Sequence, residues 1–139
     1  MNRAAWQLLA EERIAEAKAL LARQFWSGAY YLAGYSVECG LKSCVLARVD
    51  ADGVIFREKK FSERCWTHDL IELVKLAALD AARDADAAVN PVRFQNWIVV
   101  QNWSEESRYV RQARADAEQL VNAIDDQING VLPWIRAHW

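Results

Sequence analysis

Apolar residues recur along this chain at spacings of three and four, the period of helices packed on one side. Over residues 3–23 the stripe is Trp6, Ala10, Ile14, Ala17 and Leu21, with Glu11, Glu12, Glu16 and Lys18 on much of the remaining surface. A short break at Gln24 to Gly28 separates it from a second predicted helix, residues 28–48. That segment is apolar on more than one side, through Tyr30, Tyr31, Leu32, Tyr35, Val37, Leu41, Val45 and Leu46. Such a helix sits centrally, or packs against its own bundle on one side and a partner on the other. The interleaved Ala29, Ala33, Gly34, Ser36, Gly40 and Ser43 would let another backbone approach closely.

Residues 49–66 read as the longest irregular stretch, with Asp50, Asp52 and Gly53 as turn residues. Thr67 is the expected N-cap of a third helix, with Asp69 in its first turn and a buried stripe of Leu70, Leu73, Val74 and Ala77. Residues 80–89 are a frayed helix end or a loop. Asn90-Pro91 is a start signal, a capping side chain followed by proline at the first helical position. Phe94, Trp97, Ile98, Val100 and Trp103 give residues 91–103 a helix with a bulky aromatic side, and Ser104 to Ser107 interrupt it. The last helix is expected from about Arg111 to Arg136, on the stripe Ala117, Leu120, Val121, Ile124, Ile128, Val131 and Ile135. Pro133 and Gly130 predict a bend or a break there. The sum is one all-α domain over residues 1–139, an up-and-down antiparallel bundle of four to five helices.

Composition agrees. The chain has 139 residues, five of them glycine and two proline, too little punctuation for a strand-rich domain. A formal charge of −2 argues against broad, non-specific nucleic-acid binding, while leaving room for a local basic pocket. The leading residues enter a charged helix rather than an apolar signal region, and no apolar run reaches the length of a membrane span. A cytoplasmic protein with no membrane contact is expected. Cys39, Cys44 and Cys65 have no metal-ligand spacing and read as reduced thiols. Neither a metal site nor a cofactor is expected.

The candidate chemistry is sparse. Glu38 and Lys42, four apart, are the only charges between Gly28 and Ala47. They form either a simple intrahelical ion pair or a partly buried couple with a third partner. His68 either adds a capping group to the third helix or contacts a ligand. Arg108, Arg111 and Arg114 would form a basic stripe suited to phosphate if one helix continued through them. The seven tryptophans read as filling for the core and a dimer interface.

Three segments together resemble a known family. The run from Ala29 to Lys42, AYYLAGYSVECGLK, is followed by Thr67 to Leu73, THDLIEL, and then by Ser107-Arg108-Tyr109. In this order and spacing, from Trp6 to Trp134, they resemble the HEPN family. The resemblance implies a bundle of four or five helices that forms homodimers and binds nucleotide or RNA. It also implies a partner nucleotidyltransferase in a toxin–antitoxin pair. Glu38, Lys42, His68, Asp69, Arg108 and Tyr109 would be its ligand-binding residues, or would brace the helix ends through an Arg108–Glu38 pair or a bond from His68 to a tyrosine. Many family members are metal-independent ribonucleases using an arginine and a histidine with four to six residues between them, so that the histidine follows five to seven positions later. That spacing is absent here, so no catalytic residue is expected. The alternative is an atypical Arg64/His68 pair in a ribonuclease toxin, or a partner that only binds protein.

Overall fold

The computed structural model describes residues 1–53 and 60–139, and these form an all-helical bundle without strands. Helix α1 spans Arg3–Ala22, with the Asn2 side chain accepting the Ala5 amide as N-cap and Ala10, Ile14 and Ala17 buried. The chain turns through Gln24 in the left-handed region (φ 66°) into α2, Trp26–Asp52. At 27 residues, α2 is about 40 Å long. It packs against α1, α4, α7, α8 and the 3-10 turn defined below, the central position its two-sided apolar pattern predicts.

The stretch expected to be irregular begins later than the sequence suggests. Asp50 and Asp52 lie in the last turn of α2, and Gly53 ends the helix at a φ of 61° that glycine tolerates best. A single helical turn, α3 (Phe61–Arg64), follows. Of the predicted irregular stretch, residues 54–59, with Arg57, Glu58 and Lys59, lie outside the described residues.

Helix α4 is Leu70–Leu76, and its N-cap is Asp69 rather than Thr67. Asp69 Oδ1 accepts the amides of Ile71 and Glu72, at 2.9 and 3.0 Å, while Thr67 Oγ1 accepts the Asp69 amide one step earlier. Residues 80–89, frayed helix or loop by sequence, form helix α5 (Asp80–Val89). Its alanines favour the helix intrinsically, and Arg93 of α6 holds it through Asp86 at 2.8 Å. Helix α6, Pro91–Val100, has the predicted Asn90 cap, which accepts the Arg93 amide. It stops three residues short of Trp103. Ser104 and the residues after it lead into a 3-10 turn, Glu105–Tyr109.

The expected long last helix is two. Helix α7 spans Arg114–Asp125 and α8 spans Val131–Arg136. Between them Asp126 accepts the amides of Ile128 and Asn129, and the carbonyl of Asn129 accepts from Asn96. The turn is tight: a Cβ on Gly130 would lie 2.3 Å from the Asp126 carbonyl oxygen. Pro133 causes no bend, because it sits in the first turn of α8 where amides have no helical acceptor. Ile128, placed on the buried stripe by its spacing, is 79% exposed in this turn. Arg108, Arg111 and Arg114 form no stripe, since they fall on the 3-10 turn, an extended link and the start of α7.

Leu41, Leu73, Leu120, Ile124, Leu132 and Ile135 centre the core and are fully buried. No helix of the described residues is long and apolar enough to cross a membrane. The three cysteines are free thiols. Burial pushes Cys39 and Cys44 up to about 12, and raises half-buried Cys65 as well. Thiolate is the reacting form, so labelling of the native protein at pH 8 with a disulfide reagent is expected to modify Cys65 first. Cys39 and Cys44 should react only as fast as the protein unfolds. Fast, equal labelling of all three would contradict their burial.

Candidate functional site

Glu38 and Lys42 of α2 are a partly buried couple with a third partner. Glu38 is 1% exposed. Its Oε1 lies 2.9 Å from Lys42 Nζ, one helical turn on, and 2.9 Å from His68 Nδ1. Lys42 also sits over the Trp6 ring of α1, 5.2 Å from its centroid. The Thr67–Asp69 turn delivers His68, and the Asp69 cap fixes that turn to α4. A carboxylate only accepts hydrogen bonds, so Nδ1 is the donor in this contact. The second Glu38 oxygen is buried without a partner. Next to it on α2, burial holds the Tyr35 hydroxyl up at about 12, with Cys39 and Glu38 adding to the rise.

His68 opens onto a polar cleft of about 410 Å³. One wall is Thr67, His68, Asp69 and Leu70; the other is the turn after α6, Gln101 to Glu105. Trp103 links this second wall to α2. Its indole lies flat over Gly34, and a Cβ there would come within 2.2 Å of the ring. Its Nε1–H is buried without an acceptor. Tyr31 stacks on both Trp103 and Tyr35, each at 6.1 Å.

The predicted residues thus divide. His68 and Asp69 line the cleft, with Glu38 behind His68. Asp69 is engaged in capping. Lys42 does not line the cleft but borders a neighbouring apolar cavity. Arg108 lies beyond Glu105 on the 3-10 turn, its guanidinium between the rings of Tyr31 and Tyr109 at 5.7 and 5.5 Å. The expected bracing contacts are not those formed: Glu38 takes His68 and Lys42 instead of Arg108, and His68 takes Glu38 instead of a tyrosine. Arg64, the other half of the alternative pair, bonds Glu72 of α4 through Nε at 3.1 Å.

Gln101, Asn102 and Trp103 were not legible as site residues. They follow a helix whose end the pattern misplaces, and amide side chains in a turn carry no spacing signal. Among the described residues no three histidine, cysteine or acidic side chains gather as a metal site would require. No known family, curated protein or solved structure matches the chain.

Proposed function

We propose that the chain is a HEPN-like binding module whose polar cleft receives a nucleotide or an RNA nucleotide. The observation that supports this best is the anchoring of His68 by a buried carboxylate at the cleft wall. Holding one imidazole nitrogen fixes the direction of the other, the arrangement a site needs to bind without reordering. Gln101 and Asn102 offer amide donors and acceptors to a base edge. Arg108, held between two rings beside the cleft, supplies charge for phosphate oxygens. The reading is binding rather than cleavage, because Glu72 engages the Arg64 guanidinium that a nuclease mechanism would aim at phosphate.

The same reading includes a homodimer and a partner nucleotidyltransferase, as in toxin–antitoxin pairs. Phe94 and Ile98, four apart on α6, are exposed and supply an apolar patch for such pairing.

Titration with ATP, followed by thermal unfolding, tests the ligand. Saturation at a hundred times the dissociation constant should stabilise the fold by about 2.7 kcal/mol. His68→Ala should remove the shift without changing the unliganded midpoint by more than a few degrees. No shift at millimolar ATP or short RNA would reject the reading. RNA cleavage by the purified protein, lost in His68→Ala, would replace it with the nuclease.

A further inference from the structure

Lys42 faces a second space on the other side of Glu38. This cavity holds about 450 Å³, and Trp6, Lys42, Val45, Val49, Phe61 and Trp66 are among its walls. The volume falls in the range of roughly 300–1,000 Å³ typical of small-molecule sites. Its walls come from α1, the last turns of α2 and the segment around α3. They are aliphatic and aromatic, with thiol and hydroxyl groups from Cys65 and Ser62 as minor exceptions. Among the described lining residues the charged side chain is Lys42, 13% exposed, and Met1, with the chain's amino terminus, also lines the cavity.

The Lys42 ammonium is incompletely partnered. It has three N–H donors. Glu38 Oε1 accepts one and the Trp6 ring lies under the group, so a donor remains for a third partner. The Glu38 charge is also shared with His68, which contacts the same oxygen. A cation held at the wall of an apolar chamber, with its counter-charge divided, selects an acceptor-bearing anion on an apolar body.

We propose that this cavity is a second binding site, separate from the polar cleft, for a small monocarboxylate with a hydrocarbon tail. The carboxylate meets Lys42 Nζ and the tail lies against Val45, Val49, Phe61 and Trp66. Neither the nucleotide reading nor the HEPN resemblance is needed for it.

The probes are octanoate, 1-octanol and octylamine, three heads on one tail, followed by amide and methyl NMR shifts of the intact chain. Octanoate should bind saturably and bind about tenfold or more tightly than 1-octanol, the effect of one charge-assisted hydrogen bond. Octylamine should bind more weakly than either. The shifts should centre on Val45, Val49 and Trp66 and leave Gln101 to Glu105 unmoved. Lys42→Met should bring octanoate down to the level of 1-octanol, and Val49→Trp, which fills the chamber, should weaken both. The wild-type comparison stands even if a variant folds poorly. Equal affinity for the three heads, shifts centred on the polar cleft, or no saturation at millimolar octanoate would each overturn the proposal.

Discussion

Glu38→Leu is expected to destabilise the protein by about 3–5 kcal/mol, the usual result of removing one member of a buried ion pair. Leucine fits the site sterically and is a good helix former, so neither shape nor propensity explains the loss. The loss comes from Lys42. Its ammonium is largely buried, and its anionic acceptor is Glu38. Without that acceptor it remains desolvated beside an aliphatic side chain. Against a total stability of about 5–15 kcal/mol for a domain, the midpoint of thermal unfolding should fall by roughly 10 °C or more.

A double-mutant cycle isolates the cause. Glu38→Leu combined with Lys42→Met removes both charges and keeps the volumes, so it should recover most of the lost stability. Glu38→Gln should fall between, because it can still accept from His68 while losing the charge. The check is urea and thermal denaturation of the wild type, Glu38→Leu, Lys42→Met, the double variant and Glu38→Gln. If Glu38→Leu unfolds within about 0.5 kcal/mol of the wild type, as a surface pair would, the buried couple is wrong. His68 in the cleft and Lys42 at the apolar cavity would then lose the carboxylate that holds both.

Gly34→Ala is expected to destabilise by about 2 kcal/mol, net of a helix-propensity gain of about 1 kcal/mol in the opposite direction. The added methyl would lie 2.2–2.3 Å from three atoms of the Trp103 indole. The ring is rigid and 4% exposed, so it cannot swing aside as a flexible side chain end would. It must move as a unit, carrying the turn from Gln101 to Glu105 with it. The variant should therefore show an altered tryptophan spectrum and weakened binding in the polar cleft, besides a lower unfolding midpoint. Gly28→Ala is the control on the same helix. Its Cβ would meet only the tip of Leu20, at 3.2 Å, so the propensity gain should dominate and the protein should be unchanged or slightly more stable. Equal behaviour of the two variants would show that Trp103 does not rest on Gly34.

Much of the architecture is written in local pattern. Two-sided apolar character placed α2 at the centre. The Asn90-Pro91 signal placed the start of α6, since a capping oxygen and a fixed φ act on neighbouring residues alone. The ends were harder. Trp103 continues the helical spacing of α6 yet lies beyond it, because its ring finds a better surface on Gly34. Ile128 continues the stripe of α7 yet is exposed, because Asp126 and Asn129 find acceptors and donors that close a turn instead. Periodicity shows which residues prefer burial; it does not show which partner they meet.

The site divides along the same line. The sequence determined that Glu38 and Lys42 share one face of a stretch, Gly28 to Ala47, otherwise free of charge, since four residues make about one turn. It also determined that His68 stands at the entrance of the next long apolar segment. Only the tertiary structure decided that His68, thirty residues on, closes on the same carboxylate oxygen as Lys42. It likewise decided that the turn after α6 becomes the opposite wall of the cleft. Those contacts depend on how α4 and the Trp103 turn pack against α2. Packing is selected by the summed fit of many side chains, and no local spacing encodes that sum.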